Sequence, residues 1–271
     1  GVAILGDQPG VGKSLSAMSY AVKHQLKTII ICPASMVLIW AKEILKFSNE
    51  KPFVFKYKIK KKENLELGTP EESLIHIVSY NALDTYLKFD VHHKCENPYC
   101  DFEEITQIKK HKMCPKCFKE KSVKSKNTDL CTFVDKKGYD LKVGIYDLIV
   151  MDEAHYIKNP KAQRTKLITK AFKKIPKKLL LSGTAIKSKP FEFFVLLNFL
   201  DPFEWVNSHS YGIRYCDGQQ DDYGHWNYNG YSRIEELVNR LSYMYLRRRK
   251  KDPGVLEHLP PKTFTIIPID L

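Results

Sequence analysis

Short apolar runs, each closed by glycine, proline or a polar cluster, recur along this chain and set its predicted elements. Val2-Ala3-Ile4-Leu5 stops at Gly6-Asp7-Gln8-Pro9-Gly10, and after Lys13-Ser14 a mixed pattern through Ala17, Tyr20, Ala21 and Val22 predicts a helix. A buried strand is predicted over 27–32, ended by Pro33, and Leu38-Ile39-Trp40 with Ile44, Leu45 and Phe47 repeats at helical spacing. Ile75-His76-Ile77-Val78 is strand-like and leads through Ser79-Tyr80-Asn81 to a short helical pattern ending at Leu87. Leu148-Ile149-Val150-Met151 and Lys178-Leu179-Leu180-Leu181 are two further strands. Strands that are apolar throughout, each followed by a helical stretch, predict an α/β fold whose parallel sheet is flanked by helices on both faces. Ligands of such open sheets bind at the carboxyl ends of the strands, which is where each polar cluster of this sequence falls.

The rhythm breaks once. Over 88–142 the apolar periodicity disappears, four cysteines cluster, and across 109–126 Lys109, Lys110, Lys112, Lys116, Lys119, Lys121, Lys124 and Lys126 oppose the single acid Glu120. This segment reads as an insertion dividing a core formed by 1–87 and 143–271. Its cysteine pairs, Cys95-x4-Cys100 and Cys114-x2-Cys117, have the separation of two thiolate pairs on one tetrahedral zinc, with His92, His93 and His111 as possible substitutes. A stretch so poor in apolar residues needs a staple, so a structural zinc ribbon is expected, not a catalytic zinc.

Composition narrows the class. With 271 residues, 43% hydrophobic, the chain can bury a substantial core, which excludes a disordered polycation. No apolar run approaches the ~20 residues of a membrane span, and the opening residues lack a cleavable leader pattern. An intracellular protein is expected, in cytoplasm or nucleoid of a bacterium or phage, or in a eukaryotic nucleus. The net charge of +13 points to a polyanionic partner, nucleic acid first.

Two motifs carry the chemistry. Gly10-Val11-Gly12-Lys13-Ser14, after a strand and opening a helix, suits a loop whose backbone N–H groups wrap nucleotide phosphates. Lys13 would reach the β- and γ-phosphates and Ser14 would ligate magnesium. The strict phosphate-loop spacing wants glycine at position 7, where this chain has Asp7, with Gly6 one place early. The second motif, Asp147-Leu148-Ile149-Val150-Met151-Asp152-Glu153-Ala154-His155, delivers two carboxylates to a strand tip. Asp152 is placed to hold magnesium, directly or through water, Glu153 to orient and deprotonate an attacking water, and His155 to link the phosphate state to neighbouring segments.

These strings resemble the superfamily-two helicase-like ATPases, and more narrowly the SWI/SNF-like family of double-stranded-DNA translocases. Leu5 to Ser14 is similar to the family's phosphate-loop motif, with Gln8, Pro9 and Val11 departing; Asp152-Glu153-Ala154-His155-Tyr156-Ile157-Lys158-Asn159 is close to its extended DEAH box. Ser79-Tyr80-Asn81-Ala82-Leu83 corresponds to the family's Ser-Tyr-Glu-x-Leu, and Leu246 to Asp252 with Leu259-Pro260-Pro261-Lys262 to the end of its first ATPase lobe. Tyr211 to Cys216, Trp226 and Gly230-Tyr231-Ser232 resemble the annealing-helicase branch. The resemblance implies a RecA-like first lobe binding ATP and magnesium. It implies coupling through Ser182 and Thr184 of Leu181-Ser182-Gly183-Thr184-Ala185-Ile186-Lys187, and DNA-track contacts at Ser35 and Trp40, which belong to a family motif matched by Ile31-Cys32-Pro33-Ala34-Ser35 with Trp40 and Glu43, and at Lys187. It also implies a second RecA-like lobe supplying arginines to the transferred phosphoryl group, without which this lobe is expected to hydrolyse ATP poorly.

The expected function is therefore a DNA-dependent ATPase that couples hydrolysis to movement on double-stranded or forked DNA. The acid-free stretch from Tyr156 to Phe191, with Lys158, Lys161, Arg164, Lys166, Lys170, Lys173, Lys174, Lys177, Lys178, Lys187 and Lys189, suits sequence-independent phosphate contact. Two other readings compete: a strand-separating helicase or restriction-type motor of the same superfamily, and a non-enzymatic DNA- or protein-binding scaffold carrying the zinc ribbon. Intact Lys13, Ser14, Asp152 and Glu153 argue against the scaffold.

Overall fold

The computed structural model describes residues 1–55, 65–87, 91–94, 99, 103–106, 136–137, 145–183 and 190–255. Its core elements run in chain order β1 (Val2–Leu5), α1 (Lys13–Lys23), β2 (Thr28–Cys32), α2 (Val37–Phe47), β3 (Phe53–Val54), β4 (Ile75–Ser79) and α3 (Leu83–Leu87). Then come β5 (Val91–Lys94), β6 (Glu103–Thr106) and β7 (Lys136–Lys137), followed by β8 (Leu148–Asp152), α4 (Gln163–Ala171) and β9 (Lys177–Leu181). The carboxyl-terminal part holds α5 (Pro190–Leu200), α6 (Ser208–Tyr215), β10 (Gln219–Gln220), β11 (Trp226–Asn227), α7 (Ile234–Leu241) and β12 (Tyr245–Leu246).

Seven strands form one sheet in the order β12-β1-β9-β8-β2-β4-β3, and every pairing in it is parallel. The central strands β2 and β8 are buried at every residue, as strands covered on both faces must be. Alternate side chains go to opposite faces. Ile29, Ile31, Ile149 and Met151 join Leu83, Ile168, Phe193, Leu196 and Leu197 of α3, α4 and α5 in one apolar cluster. Ile30, Cys32, Leu148 and Val150 join Ala17, Met18, Ala21, Trp40, Ala41 and Ile44 of α1 and α2 in the other. Helices on both faces of a parallel sheet are what the apolar runs predicted. Not predicted were the two-residue edge strands β3 and β12.

Within the expected insertion, β5 pairs antiparallel with both β6 and β7. The zinc candidates Cys95, Cys100, Cys114 and Cys117 lie outside the described residues, as do Thr184 and Lys187. The described residues flanking the expected insertion meet in the core: Tyr86 of α3 and Tyr146, just before β8, share a hydroxyl–hydroxyl hydrogen bond. Both hydroxyls also reach His76 Nδ1 on β4, Tyr146 at 2.6 Å and Tyr86 at 3.3 Å.

The segment quoted for the annealing-helicase branch forms α6 and the β10–β11 hairpin. Asn207 caps α6 by accepting from the His209 and Ser210 N–H groups. Gly230 and Ser232 return to donate backbone N–H bonds to the carbonyls of Cys216 and Tyr215, each at 3.0 Å. Among the described residues no helix is long and apolar enough to cross a membrane.

Candidate nucleotide site

Ladder register brings the predicted motifs to one rung of the sheet. Leu181 of β9 is paired with Leu5 of β1 on one side and with Asp152 of β8 on the other. The residues that follow Leu5, Leu181 and Asp152 therefore leave the sheet side by side at its carboxyl edge. They are the phosphate loop, Ser182-Gly183 and Glu153, and Ser182 N–H donates to Leu5 O at 3.1 Å.

The phosphate loop turns on Gly10 and Gly12, whose φ values of 83° and 93° lie where side chains are strained. Gly12 is exposed and caps α1, so that helix begins at Lys13 with its amino end open. Lys13 Nζ donates to the carbonyls of Asp7 at 2.8 Å and Gln8 at 3.3 Å. Partial burial lowers the Lys13 pKa, against the raising influence of Glu153, Asp7 and Asp152. Gly6 and Asp7, the positions that break the strict spacing, have structural reasons: a Cβ at Gly6 would run into the Tyr245 ring, and Asp7 is fully buried on Arg248.

Asp152 is 6% exposed and held from three directions. Trp40 Nε1 donates to its Oδ2 at 2.9 Å, Glu153 N–H donates to its Oδ1 at 3.0 Å, and Tyr80 OH donates to its backbone carbonyl at 2.9 Å. Burial raises the Asp152 pKa, opposed first by the Trp40 hydrogen bond, then by Glu153 N–H, Lys13 and His155. A desolvated carboxylate facing a lysine fits a divalent cation, because the cation restores the charge compensation that burial removes.

Glu153 adopts a left-handed conformation, φ 50° and ψ 54°, rare for a side chain of this size and typical of functional turns. Its Oε2 stands 3.1 Å from His155 Nδ1, although the pair is not aligned as a hydrogen bond. Tyr156 stacks on Tyr80 with ring centroids 5.1 Å apart and planes 8° from parallel, and the Arg164 guanidinium lies over both rings.

Trp40 requires a correction. Expected as a DNA-track contact, it is 1% exposed and spends its only polar hydrogen on Asp152, so it belongs to the interior of the acidic motif. Ser35, by contrast, is exposed on a short turn (Ala34–Met36) just after β2. Lys178 also leaves the basic surface: it is 5% exposed, its Nζ donates to Phe199 O at 2.8 Å, and burial lowers its pKa. Sequence reasoning gave Tyr80 no role and missed the Asp7–Arg248 pair. The one clue to that pair was an acid where the spacing rule asks for glycine.

A parallel α/β sheet that sets a lysine-bearing phosphate loop beside an acidic strand tip defines a nucleotide-binding lobe. The chain belongs to the SNF2-related domain family, whose model matches residues 2–271. It is 28% identical over 98% of its length to a Caenorhabditis elegans homolog of SWI/SNF-related matrix-associated actin-dependent regulator of chromatin subfamily A-like protein 1, covering 31% of that protein. It is 25% identical over its whole length to the Bos taurus DNA annealing helicase and endonuclease ZRANB3, covering 21% of it. In fold it is similar to the Sulfolobus solfataricus SWI2/SNF2 ATPase core solved in complex with dsDNA, with a TM-score of 0.57, 22% identity, and coverage of 96% of this chain and 42% of that one. The chain thus spans about a third or less of these two curated relatives.

Proposed function

We propose that this chain is the ATP-binding first lobe of an ATP-dependent double-stranded-DNA translocase, which couples ATP hydrolysis to movement on or remodelling of duplex or forked DNA. The observation that carries the reading is the rung shared by Leu5, Leu181 and Asp152, which sets phosphate loop, coupling segment and acidic tip at one sheet edge. Gly10, Val11, Gly12, Lys13 and Ser14 would wrap the phosphates. Lys13 would exchange the carbonyls of Asp7 and Gln8 for phosphate oxygens. Ser14 and Asp152 would hold magnesium, which when bound neutralises phosphoryl charge. Glu153 orients and deprotonates the attacking water, and its strained backbone fixes the carboxylate beyond the strand tip. His155, Ser182 and Thr184 relay the nucleotide state, and Ser35 and Lys187 contact the DNA backbone.

A second RecA-like lobe would complete the site. Cys95, Cys100, Cys114 and Cys117 would hold a structural zinc. An intracellular location follows from a DNA substrate, nuclear in a eukaryote, as relatives described as regulators of chromatin suggest.

The decisive measurement is ATP hydrolysis by the intact protein with duplex, single-stranded and forked DNA, for wild type and Glu153→Gln. Duplex or forked DNA is expected to stimulate hydrolysis, and the variant to lose at least about 100-fold in kcat while still binding ATP. Absence of stimulation by any DNA defeats the motor reading in favour of the scaffold. Stimulation by single strands alone would identify a strand-separating helicase.

A further inference from the structure

The phosphate loop is bound along its whole entry side to the segment that leaves β12. The β1–β12 ladder, with Ile4 N–H on Met244 O and Gly6 N–H on Leu246 O, each at 2.7 Å, continues past both strands as Gln8 N–H on Arg248 O at 3.0 Å. Bonds also run the other way. The Asp7 carboxylate accepts Arg248 N–H at 2.7 Å on Oδ1, and Nε at 3.0 Å and Nη2 at 2.5 Å on Oδ2. Gln8 Oε1 accepts Lys250 N–H at 2.9 Å. Asp7 and Gln8 are the two residues whose carbonyls hold the Lys13 ammonium. Both residues that seat Lys13 are thus themselves seated by Arg248 and Lys250.

The same segment brings a second ammonium to the loop. A Cβ built on Gly10 would stand 3.3 Å from Lys250 Nζ, so this exposed lysine lies directly against the phosphate loop. A bound triphosphate would add several negative charges beside Asp152 and Glu153, and a site containing two acids gains from each further cation it can offer.

We propose that residues 248–250 form a wall of the nucleotide site: Arg248 is a positioning residue that sets the phosphate loop through Asp7, and Lys250 contacts the bound polyphosphate. This rests on the nucleotide reading above and adds to it residues outside the phosphate-loop and acidic motifs. Lys250 supplies charge, and Arg248 supplies shape through its two-nitrogen fork on one carboxylate, which lysine cannot reproduce.

The test is displacement of a fluorescent ATP analogue from the intact protein by MgATP and by inorganic tripolyphosphate. Variants are Lys250→Gln, Lys251→Gln, Arg248→Gln and Arg248→Lys, each with its melting temperature. Lys250→Gln is expected to weaken both competitors about 5-fold with an unchanged melting temperature, the effect of one lost exposed charge-assisted contact. Lys251→Gln makes the same charge change one residue away and should stay within about twofold. Arg248→Gln should raise the KM for ATP about 10-fold, more than it lowers kcat, with partial recovery in Arg248→Lys. Equal losses in Lys250→Gln and Lys251→Gln, or ATP affinity unchanged in Lys250→Gln and Arg248→Gln while wild type binds, would overturn the proposal. Wild type failing to bind ATP would overturn the nucleotide reading itself, and this one with it.

Discussion

Asp152 shows how one side chain can be placed by residues distant in sequence. Its carboxylate is desolvated, which raises its pKa, and the Trp40 indole N–H is the largest influence holding the pKa down. Trp40→Phe keeps most of the ring volume and removes that donor. A buried hydrogen bond to a charged group is worth about 1.5–3 kcal/mol. The variant should therefore lose on that order in stability, need several-fold more magnesium for half-maximal ATP hydrolysis, and bind DNA as wild type does. A magnesium titration beside a DNA-binding isotherm checks this; lost DNA affinity with unchanged magnesium demand would return Trp40 to the DNA track. The sequence assigned Trp40 to the DNA track, whereas its indole N–H lies on Asp152 of the acidic motif. Nothing in residue order shows that α2 turns this indole towards β8, which follows it by more than a hundred residues.

Elements differed in legibility for a physical reason. The strands β1, β2, β4, β8 and β9 are apolar runs long enough to be seen in isolation, because both faces of a parallel sheet must be covered. β3 and β12 are two residues each and exist only through their neighbours' ladders, so they carry no pattern of their own. Missing β12 meant missing the partner of Asp7. His76, within the legible β4, is another case. It looks like one polar residue in an apolar run, yet it joins β4 to α3 and to the approach to β8 through the Tyr86 and Tyr146 hydroxyls, with Nε2 on Pro70 O at 2.8 Å. Burial, then nearby Lys27, push its pKa from 6.5 down to about 4, against smaller raising influences that include Glu71. The unfolded chain takes up this proton near pH 6.5 and the folded chain only near 4, so the contribution of His76 is full above 6.5 and is lost as pH falls through that window. The loss is on the order of 2–3 kcal/mol. Melting temperature against pH for wild type and His76→Gln should show a slope in that range only for wild type, and the His76 ring protons should titrate near 4 by NMR. A ring titrating near its free value would refute the assignment.

At the scale of the molecule, the Tyr86–Tyr146 bond has a consequence for the insertion and for the charge. It joins Tyr86 and Tyr146, which flank 88–142 in sequence, so the described chain on either side of the expected insertion meets at one point of the lobe. The sheet and the two apolar clusters built on it draw no described residue from 88–142. Replacing 88–142 with a short glycine-serine linker should therefore leave a folded lobe with its basal ATP hydrolysis, and should remove the proposed zinc, about one per chain as measured by metal analysis. It should also remove positive charge from the proposed DNA footprint. Each lost phosphate contact lowers the slope of log affinity against log salt by about 0.9, so a ribbon touching two to four phosphates would make that slope shallower by roughly 2–4. An unchanged slope and affinity would show that the lysines of the insertion face another partner or only solvent, leaving the DNA to the exposed lysines that follow Tyr156. Loss of the folded lobe would show instead that the insertion supports the core, contrary to what the tyrosine closure implies.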